Sequence, residues 1–413
     1  MILKKILFTV FIFFISINLL LGFLGISSLG LALSMYFIKW WVLRNSILYF
    51  FKNHSELKEY LIALNVSIIS LFFVELSLKY IAKHNLSYTE SNGSFFYHSP
   101  YQQPHLENLW NKYINKTEGI FLNTAMPYST DLNKKSEFSY LHTYNSLGLR
   151  GIEPIKDSSI YTVLGLGDSF TEGVGAPQDS SWTVLLETFL VENLELNLQV
   201  INAGVGGSDP VDQLFLLENK LLEYAPNLVI LAIDISDISD IIIRGGKERW
   251  DGNKLVYPTG PWWEFFYSYS HIVRTLTHSF FQLNALLISD DKYEEKYKEA
   301  KLTIRDIIEN DFMNLSSKHG FQLVLVFNTG LNELKKNNSE FCDEHEYFSS
   351  LESVKSISLL EAYNELLKNK KADIDSFYWK LDGHHNSQGY LLWAESIQND
   401  ILEVIKKDLL SVE

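Results

Sequence analysis

The residues of this chain whose types and spacing suit acyl-transfer chemistry are one serine and, far along the sequence, an acid two residues before a histidine. Ser169 stands in Gly167-Asp168-Ser169, and Asp382-Gly383-His384 lies near the C-terminus. A carboxylate in this arrangement holds one imidazole nitrogen while the other nitrogen takes the proton of the serine hydroxyl. Each motif alone is a weak signal, because a serine after a strand often caps a helix and a histidine pair can bind a metal.

Short apolar runs that alternate with amphipathic stretches predict the elements that must position these residues. We expect buried strands at 160–166, 198–201, 228–233 and 323–327 and helices at 182–191, 211–224, 297–315 and 390–405. Such alternation is typical of an α/β fold, in which helices cover both faces of a parallel sheet. Ligands of these sheets bind at the carboxyl ends of the strands. Ser169 follows the first predicted strand, and Asp382 and His384 precede the last predicted helix, so we expect them to meet there.

Two further groups follow strands at the same predicted edge. A glycine-rich segment, 202–209, follows the second strand, and glycines let the backbone approach a ligand closely. Its spacing differs from the dinucleotide fingerprint, so we expect no nucleotide cofactor. Three acids, Asp234, Asp237 and Asp240, follow the third strand and raise a metal hypothesis. Acids at strand ends more commonly accept hydrogen bonds from loop or helix N–H groups, so we expect no metal.

Taken together over about residues 145–405, these segments resemble the SGNH, or GDSL-like, hydrolase superfamily, and Asn145–Gly151 resembles a segment of its membrane-anchored bacterial members. The resemblance implies a three-layer, flavodoxin-like domain with a parallel sheet, preceded by transmembrane helices. It also implies Ser169 as the nucleophile, His384 as the base and Asp382 as its partner, with His385 as the alternative base. The Asp382-to-His384 spacing is similar to that of the glycan-acetylation branch of the superfamily.

The resemblance further implies an oxyanion hole, a set of donors for the negative oxygen of the intermediate. Its donors are the N–H groups of Ser169 and of Gly207, with Gly206 as the alternative glycine. The family's third block presents an asparagine amide, and here Ser236 stands in that position. A hydroxyl can donate as well, but the loss of one donor can lower the rate about 10²-fold.

The N-terminal region predicts a membrane anchor. No charged residue occurs between Ile6 and Ile38, and a second apolar run follows at 60–80, with Glu75 near its end. A span needs about 20 residues, so we predict three spans at about 6–23, 27–43 and 60–80. The alternatives are two spans or a signal peptide.

The lysines and arginines before and between these segments place the rest of the chain on the periplasmic or extracellular side of the cell (inner) membrane. We expect Glu75 to reach the interface or to pair with Lys79.

These patterns predict three regions. They are a membrane anchor at 1–84, a linker and domain edge at 85–144, and a catalytic domain at 145–413 with an aromatic insertion at about 241–295. The aromatic side chains of this insertion can stack on sugars or cover an acyl pocket, pack in a core, or lie on the bilayer.

Composition limits the partners of the chain. Lys and Arg number 35 against 50 Asp and Glu, and the net charge of −15 argues against a nucleic-acid partner. A single cysteine, Cys342, excludes an intrachain disulfide and a Cys-built metal site. The resemblance and the predicted anchor together imply a membrane-anchored serine esterase that acts on acyl, in particular acetyl, esters of cell-surface glycans. The alternatives are a polysaccharide O-acetyltransferase with the same triad, and a non-catalytic glycan-binding protein or scaffold for a membrane acyltransferase.

Overall fold

The computed structural model describes residues 55–81, 118–121, 138, 140–251, 254–255, 261–284, 286–368, 373–380 and 382–412. The chain divides into two units. One consists of Met1–Phe95 with Pro261–Ala285, and the other of Phe96–Gly260 with Leu286–Glu413. We call them the N-terminal unit and the sheet unit.

The described elements, in chain order, begin with a long helix and continue with alternating strands and helices. The strands are β1 Glu118–Phe121, β2 Tyr140–Thr143, β3 Tyr161–Gly167, β4 Leu198–Gly204, β5 Leu228–Ile233, β6 Trp250–Asp251, β7 Lys254–Leu255, β8 Gln322–Phe327 and β9 Lys355–Ser358. The helices are α1 Ser55–Ile81, α2 Ser169–Glu172, α3 Trp182–Asn193, α4 Pro210–Leu216, α5 Ser236–Arg244, α6 Glu264–Tyr269, α7 His271–Thr275, α8 Asp290–Ile307, α9 Met313–His319, α10 Leu331–Lys336, α11 Cys342–Ser349, α12 Leu359–Leu367 and α13 Ser387–Val412. Short 3₁₀ segments lie at Gln178–Ser180, Leu222–Tyr224, Lys247–Arg249 and Ile374–Phe377, and π segments at Leu217–Leu221, Leu276–Phe280 and Ile308–Phe312.

The sheet unit is built on a five-stranded sheet with the order β4-β3-β5-β8-β9. All four pairings in this sheet are parallel. Counted along the sheet strands alone, the order is 2-1-3-4-5, which is the flavodoxin-like arrangement. The expected α/β class and parallel sheet are therefore confirmed. In this order one crossover connection from β3 leads to one side of the sheet and the later connections lead to the other side, beginning at β5. Sheets of this kind bind ligands at the point between β3 and β5 where the direction changes.

Each face of the sheet carries its own apolar core. Strand residues of odd and even number point to opposite faces, so Leu164 and Leu166 join one core while Val163 joins the other. The first core is completed by side chains of α4, α5 and α8, and the second by α3, α12 and α13. β5 is buried at every position. Burial on both faces explains why its sequence is an unbroken apolar run.

The N-terminal unit is described over α1 and over residues 261–284. The predicted spans at 6–23 and 27–43 lie outside the described residues, and the one at 60–80 lies within α1. Among the described residues, no helix combines the length and the apolar character needed to cross a membrane. The carboxylate of Glu75, on α1, accepts hydrogen bonds from residues 270–272, partners that the sequence does not predict.

Candidate active site

The nucleophile candidate lies where β3 turns into α2. Ser169 is the first residue of this four-residue helix, and Asp168 caps it because its Oδ1 accepts the N–H of Phe170 at 2.9 Å. A Cβ at position 167 would overlap the side chain of Thr171, so the tight turn requires Gly167. The turn places the Ser169 hydroxyl at the carboxyl end of β3.

The loop before α13 brings His384 to this hydroxyl. His384 Nε2 lies 2.7 Å from Ser169 Oγ, and His384 Nδ1 lies 2.5 Å from Asp382 Oδ1. The backbone of the loop is fixed because the N–H of Trp379 donates to the carbonyl of His384 at 2.8 Å. The ring of Phe170 packs on the imidazole with the ring centroids 4.7 Å apart. Ser169 thus forms one continuous hydrogen-bonded series with His384 and Asp382, which lie more than 200 residues later in the sequence.

The surroundings of His384 favour its protonated form. Burial by itself lowers the pKa of the imidazole, but the hydrogen bond and negative charge of Asp382 act in the opposite direction. The effect of Asp382 prevails, and the pKa of His384 is raised as a result. His384 is therefore well suited to accept a proton from a neighbouring hydroxyl.

The other candidate base, His385, points away from Ser169. Its side chain is fully buried, and its Nε2 lies 3.1 Å from the hydroxyl of Tyr363. The rings of Tyr378, Tyr390 and Trp393 surround it. Burial, together with the charge of His384, lowers the pKa of His385 to about 3. Of the two adjacent histidines, the structure brings only His384 to the nucleophile candidate.

The glycine-rich turn after β4 lies beside Ser169. The N–H of Ser208 donates to the carbonyl of Val205 at 2.9 Å, and Gly207 has a φ of +78°, which glycine adopts readily. A Cβ built on Gly206 would lie 3.7 Å from the Cβ of Ser169. The turn is therefore in direct contact with the nucleophile candidate.

The hydrogen bonds of this turn distinguish its two glycines. The N–H of Gly206 donates to Glu172 Oε2 at 2.8 Å and is occupied. The N–H groups of Gly207 and Ser169 have no hydrogen-bond partner among the residues that the structure describes. Two free donors therefore belong to Ser169 and Gly207, the pair that the sequence resemblance favours.

A buried charge network holds the other side of the turn. Arg244, at the end of α5, donates to the carbonyl of Gly207 at 2.6 Å and forms an ion pair with Asp240 at 2.9 Å. Arg249, which is fully buried, donates to Asp209 Oδ1 at 2.6 Å, and it also pairs with Asp212. Asp209 caps α4 immediately after the turn. The network thus fixes the conformation from Gly207 to the start of α4.

Ser236, the third candidate donor, faces an acid. Its hydroxyl donates to Asp168 Oδ2 at 3.3 Å. Burial, and then the charge of Asp234, raises the pKa of Asp168 to about 8, which favours the protonated form of this carboxyl. A protonated Asp168 can donate to the oxygen of Ser236 and leave the hydroxyl hydrogen of Ser236 free to turn elsewhere.

The three acids after β5 bind protein groups. Asp234 accepts the N–H of Ser236 at 2.9 Å and the amide of Asn328 at 2.7 Å. Asp237 accepts the N–H of Asp234 at 2.8 Å, and Asp240 pairs with Arg244. Within the described part of the chain, no group of three or more histidine, cysteine or acidic side chains is arranged to hold a metal ion.

Two side chains that support the site are not evident from the sequence. Glu172 occupies the N–H of Gly206, and Arg244 occupies the carbonyl of Gly207. Both contacts depend on the conformation of a turn, which composition does not specify. The available signals are local: Glu172 lies one helical turn after Ser169, and Arg244 lies four residues after Asp240.

Comparisons with known proteins give similarity in structure but not in sequence. No protein-family model and no curated protein matches the chain. One similar structure is a two-domain esterase active on acetylated mannans, with 16% sequence identity and a TM-score of 0.35. The match covers 59% of this chain and 50% of the esterase chain. Another is an acetylxylan esterase of Geobacillus stearothermophilus, with 15% sequence identity and a TM-score of 0.35. The match covers 60% of this chain and 96% of the acetylxylan esterase chain.

A third similar structure is that of a lipolytic G-D-S-L family protein from Desulfitobacterium hafniense. Its sequence identity is 14% and its TM-score is 0.33, and the match covers 58% of this chain and 98% of that protein's chain. The chain spans about half the length of the mannan esterase. Similarity at this level carries no argument about what the chain does. The function must therefore be argued from the site itself.

Proposed function

We propose that this chain is a serine esterase that acts on acyl esters, with acetyl esters of cell-surface glycans as its substrate class. The observation that carries the proposal is the series Ser169 Oγ, His384 Nε2, His384 Nδ1 and Asp382 Oδ1, with separations of 2.7 and 2.5 Å. Nucleophile, base and orienting acid within hydrogen-bond reach are the requirement for activating a hydroxyl. The spacing of Asp382 and His384 supports an acetylated glycan, because it is similar to that of the glycan-acetylation branch.

In the acylation step, Ser169 Oγ attacks the acyl carbonyl carbon as His384 Nε2 takes the hydroxyl proton. The carbonyl oxygen becomes negative and accepts hydrogen bonds from the N–H groups of Ser169 and Gly207. Asp382 keeps the imidazole oriented and stabilises its positive form. The bond to the alcohol then breaks, the alcohol oxygen takes the proton from His384, and an acyl-Ser169 intermediate remains.

In the second step, water attacks the acyl-Ser169 carbonyl while His384 takes one of its protons. Collapse of the intermediate releases the carboxylic acid and returns the proton to Ser169 Oγ. A sugar hydroxyl that replaces water completes a transfer with the same residues. Hydrolysis and transfer therefore differ only in the acceptor.

Ser236 contributes to this scheme through Asp168. When Asp168 holds a proton and donates it toward Ser236 Oγ, the Ser236 hydroxyl is free to donate to the oxyanion. When Asp168 is ionised, the hydroxyl points to the carboxylate instead, as the 3.3 Å contact allows. The third donor of this site is thus a serine hydroxyl, in place of an asparagine amide, and the direction of its hydrogen bond depends on whether Asp168 is protonated.

We also propose that the chain is attached to a membrane through its charge-free N-terminal stretch, with the sheet unit on the periplasmic or extracellular side. The stretch between Ile6 and Ile38 and the positions of Lys4 and Lys5 before it support this arrangement. A reporter fused after residue 90 tests it. Reporter activity on the cytoplasmic side would overturn the orientation.

The esterase proposal is tested by incubating the detergent-solubilised full chain with p-nitrophenyl acetate beside the Ser169→Ala variant. The proposal predicts release of p-nitrophenol by the native chain and its loss in the variant. Equal release by both would remove Ser169 from the mechanism. No release by either, even with a sugar acceptor present, would favour a non-catalytic role.

A further inference from the structure

The described part of the N-terminal unit exposes several large apolar side chains and buries charged ones. Within residues 261–284, five large apolar side chains are exposed, with Trp262 at 82% and Phe280 at 73%. The others are Phe266, Leu276 and Phe281. In the same segment the buried side chains include Glu264, Arg274 and Thr277. Water-soluble surfaces scatter their exposed apolar residues singly, whereas a concentration of them marks an interaction surface.

The one acid in the apolar part of α1 is satisfied by this segment. Glu75 is only 7% exposed, and its carboxylate accepts the Ser270 hydroxyl at 2.9 Å, the N–H of Ile272 at 3.0 Å and the N–H of His271. A carboxylate and the first N–H groups of a helix are each costly to remove from water when unpaired. The hydrogen bonds between the Glu75 carboxylate and these N–H groups lower the free-energy cost of withdrawing both from water. Such pairing is needed for polar groups in a medium of low dielectric constant.

Exposed apolar side chains continue along the middle of α1. Val66, Ile69, Leu71, Phe73 and Val74 are all exposed, and consecutive positions such as Phe73 and Val74 face directions about 100° apart. Within residues 261–284 the charged side chains Glu264 and Arg274 are buried while five large apolar side chains are exposed, and proteins in lipid likewise turn their charged side chains away from the lipid.

We propose that Trp262, Phe266, Leu276, Phe280 and Phe281 contact the acyl chains of a lipid bilayer, so that residues 261–284 are a second membrane-binding segment of this chain. The lipid bilayer is the partner because the chain before α1 carries no charge between Ile6 and Ile38. The inference rests on the membrane attachment proposed above, and it is independent of the catalytic assignment. Its consequence is that the protein is held at the membrane by two separate stretches of sequence.

Spin-label accessibility in vesicles tests the proposal. The full chain carries a single cysteine, so Cys342→Ser provides a background in which Phe280→Cys and, separately, Trp262→Cys take a nitroxide label. The matched control is Leu302→Cys, an exposed leucine on α8, whose neighbours on the helix are mostly charged. Each protein is reconstituted into vesicles of phosphatidylcholine and phosphatidylglycerol. Flotation with the vesicles is checked first, and collisions with oxygen and with a water-soluble nickel chelate are then measured.

The proposal predicts that labels at 280 and 262 collide more with oxygen than with the nickel chelate, and that the label at 302 shows the opposite order. A label at 280 that collides more with the nickel chelate overturns the proposal and leaves the membrane attachment standing. A label at 280 shielded from both reagents also overturns it, because protein then covers the surface. A chain that fails to float with vesicles overturns the attachment and this inference together, while the Ser169 assay remains unaffected.

Discussion

Replacing Asp382 with asparagine removes the charge beside His384 and keeps the size of the side chain. The two side chains are mostly withdrawn from water, with 11% of Asp382 and 21% of His384 exposed, so solvent screens their interaction weakly. The introduced amide can donate an N–H toward His384 Nδ1 and so favour the tautomer that carries its proton on Nε2, where it cannot accept from Ser169. We expect a fall in kcat of about 10⁴-fold, which corresponds to about 5.4 kcal/mol of activation free energy.

The same variant has a pH signature. His384 must be neutral to accept a proton, so activity rises as the pH increases through the pKa of His384. Asp382 is a main cause of the raised pKa of His384, and the asparagine variant therefore has a lower pKa. We expect the acid limb of the kcat/KM profile to move to lower pH even as the rate falls.

The assay is the initial rate of p-nitrophenyl acetate hydrolysis from about pH 5 to pH 9, with Asp291→Asn, an exposed acid on α8, as the control for the substitution. The control should match the native profile. An Asp382→Asn rate within a factor of ten of the native rate, or an acid limb that moves to higher pH, would refute the proposed role of Asp382.

Three other substitutions give distinct results. Ser236→Ala should lower kcat by about 10²-fold at neutral pH with little change in KM, measured on the same ester; an unchanged kcat would remove the hydroxyl from the oxyanion hole. His385→Ala should cost about 3 kcal/mol in the free energy of unfolding, measured in urea, because it leaves a cavity. The variant should retain far more activity per folded molecule than His384→Ala. Equal losses of activity would contradict the different positions of the two rings. Arg249→Met should cost about 3–5 kcal/mol in the free energy of unfolding, because the buried carboxylates of Asp209 and Asp212 lose their shorter ion pairs and keep only the longer ones to Arg244. An unchanged urea midpoint would show that the ion pairs of Arg249 add nothing to stability.

The sheet could be predicted from the sequence because its central strands are buried on both faces. The prediction of 228–233 matches β5 residue for residue, and β3, β4 and β8 lie where the apolar runs predict them. The apolar pattern does not predict β9, Lys355–Ser358, because this strand is short, lies at the sheet edge and carries only one apolar residue. α8 begins seven residues before the predicted start at 297, with Ser289 as its cap and acids at 290 and 291. A helix start of this kind can be recognised from the sequence.

The parallel topology accounts for how much of the candidate site the sequence indicates. The segment after β3 and the loop before α13 both lie at the carboxyl edge, so the proximity of Ser169 and His384 follows from the order of the elements. The sequence leaves His384 and His385 nearly equivalent, and only the packing around the buried His385 ring separates them. The grouping of residues 261–285 with the N-terminal unit likewise depends on contacts between distant segments.

The mechanism proposed above requires His384 to activate Ser169 for covalent chemistry. It is tested most directly by treating the full chain with a fluorophosphonate, digesting it and locating the adduct by mass spectrometry. Attack by Ser169 Oγ forms an oxygen–phosphorus bond and releases fluoride. We predict an adduct on the peptide that contains Ser169 and its loss in His384→Ala. An adduct on another residue, or equal labelling of Ser169 without His384, would contradict this mechanism.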